Sequence, residues 1–152
     1  MTLTRRSALS LMTLTLVAAC GGRRNRRDEP EPTAGSAEVH RMVNHWADHY
    51  DIPRSLMHRV VKKESNYNPA ARNGPYYGLM QISAQTAAGM GYRGSPSGLL
   101  DAETNLKYAG KYLRGAWLVS NGSEDRAIMW YQRGYYYEAK RKGLLEETGL
   151  RG

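Results

Sequence analysis

The sequence predicts a mainly α-helical domain, because apolar residues recur at helical spacing from about Val39 onward and short polar or glycine-rich breaks separate the stretches. We find no internal repeat and no convincing run of alternating strand residues. The 152 residues leave room for one domain. We assign residues 39–152 to it, and a domain of about 110 residues can bury a core large enough to fold alone.

The first two predicted helices each carry one apolar stripe. The stripe of the first comprises Val39, Met42, Val43, Trp46 and Tyr50. Pro53 suits the first turn of the second helix, because proline lacks the N–H that this turn leaves unpaired. The stripe of the second helix comprises Leu56, Met57, Val60 and Val61. Pro69 is expected to end this helix within a few residues.

The middle of the chain is richer in glycine and tyrosine. Residues from Asn73 to Gly78 predict turns or a small hairpin, and Ser83 to about Ala88 predict a short helix. The four glycines between Gly89 and Gly98 predict a loop.

Two capped helices are expected to complete the domain. Asp101 is a good N-cap for a long helix, and Ser123 can cap the next one after Asn121-Gly122. The buried face of the first of these helices would comprise Leu106, Ala109, Leu113 and Trp117, and that of the second Ala127, Ile128, Trp130 and Tyr131.

Residues 1–19 are typical of an export signal. Arg5 and Arg6 precede an apolar run from Ala8 to Ala19, which is too short to span a bilayer in a mature protein. Val-Ala-Ala then leads into Cys20, the only cysteine. This ending resembles the lipobox of bacterial lipoproteins, in which the signal is removed and the cysteine is lipidated. An ordinary signal with a stray cysteine is the alternative.

Residues 20–38 are mostly small, charged or proline residues, which we interpret as a disordered linker. The net charge of +8 becomes +6 when Arg5 and Arg6 leave with the signal. An exported basic protein meets little nucleic acid, so nucleic acid is not an expected partner. An anionic wall polymer is the more natural electrostatic target.

Glu64 stands out on the second helix. It lies one turn after Val60 and Val61 and so continues the apolar stripe, and no Lys or Arg lies three or four residues away. Desolvation and the nearby helix C-terminus both favour an uncharged carboxylic acid, which can donate a proton. Glu64 is also the only acid between Asp51 and Asp101. Since sugar hydrolysis usually needs two carboxylates, these residues suit a one-carboxylate mechanism, a partner brought by folding, or a structural helix end.

Glu64-Ser65 is followed by Tyr67-Asn68-Pro69 and by Gly78-Leu79-Met80-Gln81. Two weaker blocks follow, from Asn105 to Leu113 and from Trp130 to Gly134. In this order the blocks resemble the signature of the soluble lytic transglycosylase family, which has a lysozyme-like fold. The resemblance covers roughly residues 39–140, and the fixed spacings in the first block make it highly specific.

The resemblance implies a peptidoglycan lytic transglycosylase that needs no cofactor or metal. Such an enzyme cleaves the β-1,4 bond between N-acetylmuramic acid and N-acetylglucosamine and leaves a 1,6-anhydro ring. Glu64 would act first as acid and then as base, and Tyr131 would hydrogen-bond it. The implied substrate-binding residues are Ser65, Asn73, Gly78, Leu79, Met80, Gln81, Tyr112 and Tyr131.

The expected cellular role is wall remodelling by a monomer that is anchored through lipidated Cys20, in the periplasm at the outer membrane. Asn73 stands where the family commonly has serine, and Gln132 and Arg133 replace the usual Asn and Ala. A lysozyme-type hydrolase and a non-catalytic wall-binding or secretion-accessory protein remain open as alternative functions.

His45 and His49 lie one helical turn apart without a recognisable third ligand, so a solvated helix face is favoured over a metal site.

Overall fold

The computed structural model describes residues 34–150, so the predicted export signal, Cys20 and most of the predicted linker lie outside the described residues. The helices are α1 (Ala34–His49), α2 (Arg54–Ser65), α3 (Ala84–Gly89), α4 (Ala102–Val119), α5 (Glu124–Arg133) and α6 (Tyr136–Lys142), with a 3₁₀ helix at Pro96–Leu100. The strands are β1 (Arg72–Asn73), β2 (Tyr76–Tyr77) and β3 (Ile82–Ser83), which form one antiparallel sheet in the order β1-β2-β3. The predicted mainly α, lysozyme-like fold with a small β element is confirmed.

Helix α4 lies at the centre of the domain, in contact with α1, α3, α5 and α6. Its Leu106 and Leu113 are fully buried, as are Leu56 and Val60 of α2. The apolar stripes read from the sequence therefore face one common core.

The core uses tyrosine where many proteins use phenylalanine. Tyr135 is 1% exposed, and its hydroxyl donates to the Tyr112 carbonyl at 2.9 Å. Gly115 makes room for this ring, because a Cβ there would lie 2.2 Å from the Tyr135 hydroxyl oxygen. A buried tyrosine needs such a hydrogen bond, since an unpaired hydroxyl would lose its water without compensation.

Both predicted N-caps are present. The Asp101 carboxylate accepts the Thr104 N–H at 2.8 Å, and the Ser123 hydroxyl accepts the Arg126 N–H at 3.4 Å. Each cap satisfies a backbone donor that the first helical turn leaves free.

Two boundaries differ from the prediction. Helix α1 begins at Ala34 rather than near Val39, because Ala34, Ala37 and Glu38 have high helix propensity even without an apolar stripe. The expected loop from Gly89 to Gly98 runs into the 3₁₀ helix, where Pro96 suits the start and Leu99 is fully buried.

Among residues 34–150, no helix is both long enough and apolar enough to cross a bilayer.

Candidate active site

Glu64 occupies the last turn of α2, directly before a sharp reversal of the chain. Asn66 and Tyr67 both adopt left-handed backbone conformations, with φ of 49° and 63°. Such conformations are strained for residues other than glycine and need support from the surroundings. That support comes from α2 and α1, since the Tyr67 hydroxyl is hydrogen-bonded to His58 Nδ1 at 2.9 Å and its ring packs against the His40 ring. The reversal fixes the position of Glu64 at the edge of the core.

The Glu64 carboxylate is held by a side chain from another helix. Gln132 of α5 donates from Nε2 to Glu64 Oε1 at 2.7 Å, and Lys63 Nζ donates to Gln132 Oε1 at 3.1 Å. Since an ammonium group can only donate, Lys63 fixes which end of the Gln132 amide faces Glu64. Glu64 Oε2 has no hydrogen-bond partner among residues 34–150. One carboxyl oxygen is thus oriented and the other is free for a ligand.

Glu64 opens onto a groove made of two adjoining depressions. The first, of about 270 Å³, is lined by Glu64, Asn73, Tyr76, Gln81, Tyr131 and Gln132. The second, of about 220 Å³, shares four of these residues and extends the groove along Ser83, Thr86, Tyr112 and Arg133. Amides, hydroxyls and aromatic rings line the groove, and this mixture suits the polar edges and apolar faces of sugar rings. Glu64 is the only carboxylate among the residues lining either depression.

The structure divides the predicted substrate-binding residues into two groups. Asn73, Gln81, Tyr112 and Tyr131 line the groove. Ser65, Gly78, Leu79 and Met80 are not among the residues lining the two depressions, and their contact with a substrate stays a prediction.

The Gly78-Leu79-Met80 segment lies beneath the groove. Leu79 and Met80 have no exposed surface, so no ligand reaches their side chains. The Ser65 hydroxyl bonds to the Leu79 carbonyl at 2.7 Å and to the Val61 carbonyl at 3.2 Å. These residues fasten the segment to α2 and so set the position of Gln81.

Asn105 of α4 organises the same segment and was not among the predicted site residues. It is fully buried, accepts the Met80 N–H at 2.9 Å and donates to the Tyr77 and Leu99 carbonyls, both at 2.8 Å. Gly78 has φ of +72°, and a Cβ there would lie 2.3 Å from Asn105 Nδ2. The segment therefore needs glycine for its conformation and for its close approach to the amide. A polar residue in the buried face of α4 was the sequence signal for this role.

Tyr131 bonds to a different partner from the one predicted. Its hydroxyl donates to the Met80 carbonyl at 2.7 Å, so its single hydrogen is not directed at Glu64. Burial, and next the charge of Glu64, raise the pKa of Tyr131 well above its ordinary value, which keeps the phenol protonated. The predicted Tyr131–Glu64 hydrogen bond is wrong, because the carbonyl of the underlying segment takes the donor. Gln132, noted in the sequence only as a departure from the family pattern, fills that place.

The described residues offer no obvious metal centre. Residues 34–150 contain no group of three His, Cys, Asp or Glu side chains arranged to hold an ion. The His45 and His49 rings stack with centroids 6.5 Å apart on an exposed face of α1.

Comparison with known proteins identifies the family of the domain. No solved structure matches the chain. The family described as "Transglycosylase SLT domain" matches residues 41–145, which is more than half of the chain and spans Glu64, the underlying segment and Gln132. The chain therefore belongs to the SLT transglycosylase family, whose lysozyme-like domain acts on peptidoglycan.

Proposed function

We propose that this protein is a peptidoglycan lytic transglycosylase with Glu64 as its single catalytic acid and base. The observation that carries the proposal is the groove with one carboxylate, Glu64, among its lining residues. Hydrolases of glycosidic bonds commonly place two carboxylates about 5–9.5 Å apart across the scissile bond. A reaction in which the substrate supplies its own nucleophile needs only one.

The proposed reaction begins with Glu64 donating its proton to the oxygen between N-acetylmuramic acid and N-acetylglucosamine. The C1–O bond breaks, and the N-acetylglucosamine residue leaves with a free hydroxyl. The C6 hydroxyl of the muramic residue then bonds to C1, and the Glu64 carboxylate takes the hydroxyl proton. The acid is regenerated, no water is consumed, and the product carries a 1,6-anhydro ring.

The hydrogen bonds around Glu64 support this assignment of roles. Gln132 donates to Oε1, which leaves Oε2 to carry the transferred proton toward the groove. The Lys63 contact holds the amide in this orientation without pairing directly with the carboxylate. A general acid benefits from such fixed geometry, because proton transfer requires a short and aligned approach.

Product analysis tests the proposal. Purified wall is digested with the full chain, and the released fragments are weighed by mass spectrometry, since an anhydro product is one water lighter than a hydrolysed one. Glu64→Gln is expected to reduce cleavage at least about a hundredfold, the usual size of a general-acid contribution. The matched control is Glu103→Gln, the same change at an exposed glutamate of α4.

Each contrary outcome has its own meaning. Products with a free reducing end identify a lysozyme-type hydrolase. Full lytic activity in Glu64→Gln removes Glu64 from the mechanism. A wild-type chain that cuts no wall favours the non-catalytic, wall-binding alternative.

We also propose that the chain acts in wall remodelling from the periplasm, held at the outer membrane by a lipid on Cys20. The support is the sequence alone: the apolar run before Cys20 and the small residues that lead into it. Labelled fatty acid supplied to cells should appear in the wild-type protein and not in Cys20→Ser. Equal labelling of both proteins contradicts the anchor.

A further inference from the structure

A basic trough runs beside the groove, between the outer faces of α2 and α5. Its volume is about 570 Å³, and it shares Gln132 with the depression that holds Glu64 and Arg133 with the adjoining one. Ile128 and Met129 form an apolar part of its lining. The trough is therefore a lateral continuation of the groove at the position of the proposed catalytic acid.

The cations of the trough differ in how they are compensated. Arg59 pairs with Glu124 at 2.9 Å and with Asp125 at 2.5 Å. Lys62 and Arg133 are exposed and make no ion pair or hydrogen bond within residues 34–150. The trough consequently presents uncompensated positive charge, which favours a carboxylate ligand.

A glycan strand bound in the groove would bring the carboxylates of its peptide stems close to the trough. The muramic residue carries a peptide stem on its lactyl group, and the stem ends in a free carboxylate. An extended peptide spans about 3.3–3.6 Å per residue, so three stem residues reach about 10 Å. From Arg133 back to Met129 the trough follows α5 for only about 6 Å, at 1.5 Å of rise per helical residue. A stem leaving a sugar beside Glu64 is long enough to cross Gln132 and lie along the trough.

We propose that the trough binds the carboxylate-bearing peptide stem of the muramic residue at Glu64, so that the enzyme prefers strands that retain their stems. This inference rests on the proposed function. Lys62 and Arg133 would contact the stem carboxylates, and the apolar lining would contact the stem backbone and its small side chains. The trough is much larger than the lactyl group alone requires, which favours the stem over the lactyl carboxylate of a stripped strand.

The test compares two substrates with the full chain. Glycan strands with stems, and the same strands after an amidase has removed the stems, are digested, and kcat/KM is measured for each. Lys62→Gln/Arg133→Gln is expected to lower the ratio of stemmed to stem-free kcat/KM by about threefold to tenfold, the size of two exposed charge contacts. The matched control is Arg41→Gln/Lys140→Gln, which removes the same charge at exposed positions outside the trough. Raising the salt to about 0.5 M should narrow the wild-type preference, since exposed charges are screened.

Three results overturn the inference: a wild-type chain without preference for stems, a trough variant with unchanged kcat/KM on both substrates, or a trough variant with an equal loss of kcat/KM on both. The last would assign Lys62 and Arg133 to a part of the glycan that both substrates share, since the lactyl carboxylate is free only in the stem-free strands. If the wild type cleaves neither substrate, the proposed function fails, and the trough is tested by binding instead. Calorimetry with Glu64→Gln should then show tighter binding of stemmed than of stem-free strands, and equal affinities refute the trough as a stem site.

Discussion

Replacement of Asn105 by leucine removes the side chain that joins α4 to the segment beneath the groove. Leucine fills a similar volume but offers no donor or acceptor. The Met80 N–H and the Tyr77 and Leu99 carbonyls, now bonded at 2.9, 2.8 and 2.8 Å, lose their partners in a fully buried site. The Met80 carbonyl also holds the Tyr131 hydroxyl, so displacement of this segment extends to the groove lining.

The size of the effect follows from these contacts. Each buried polar group left without a partner costs about 1–3 kcal/mol. Burial of the leucine side chain offsets about 1.5–3 kcal/mol of that total. We therefore expect the free energy of unfolding to fall by about 3 kcal/mol, which in a domain of this size lowers the Tm by roughly 10–15 °C.

Urea unfolding, followed by tryptophan fluorescence of the full chain, measures this change directly. Asn44→Leu is the matched control, because Asn44 is a partly buried helical amide whose Oδ1 is hydrogen-bonded to His58 Nε2 at 2.9 Å. It should lose no more than about 1 kcal/mol. If Asn105→Leu unfolds within about 1 kcal/mol of the wild type and still cleaves wall normally, the reasoning about this segment is refuted.

Three further predictions follow from other contacts. Gly78→Ala should lower the free energy of unfolding by about 2–4 kcal/mol in the same urea experiment, because the new Cβ meets Asn105 and the left-handed conformation becomes strained. Gln132→Leu should lower kcat about fivefold to tenfold with a smaller change in KM, since it removes an exposed charge-assisted hydrogen bond that orients Glu64. Lowering the pH from about 7 to 5 should destabilise the domain. Burial, and then the charges of His40 and Arg54, lower the pKa of His58 below its ordinary 6.5. The unfolded chain therefore takes up the proton first, and the stability of the folded domain falls as the pH drops below 6.5.

Each of these predictions has a separate check. For Gly78, an unfolding midpoint equal to that of the wild type would contradict the close approach. For Gln132, Lys63→Met should lower kcat less than Gln132→Leu does, because the Gln132 amide remains and only its hydrogen bond to Lys63 is removed. A larger loss of kcat in Lys63→Met would indicate that Lys63 itself takes part in the reaction. For His58, the slope of stability against pH between 7 and 5 should flatten in His58→Gln, and an unchanged slope would assign the effect to another group.

The sequence by itself determined the helical architecture, and the structure confirms it. Apolar stripes and caps such as Asp101 act between residues three or four positions apart, so they are visible in the order of the residues. The same local pattern selected Glu64, which extends a buried stripe without a cationic partner. Its catalytic role stays a proposal, but its place at the groove follows from that stripe together with the reversal at Asn66 and Tyr67.

Only the tertiary structure decided what surrounds Glu64. Gln132 lies 68 positions away along the chain, and the Tyr131 hydroxyl reaches a carbonyl 51 positions away. No local spacing encodes these contacts, because they depend on how α5 packs against α2 and on how deep the Met80 segment lies. The sequence therefore singled out Glu64, but it did not show that Leu79 and Met80 have no exposed surface. Burial by distant elements, rather than order along the chain, determines which residues a ligand can touch.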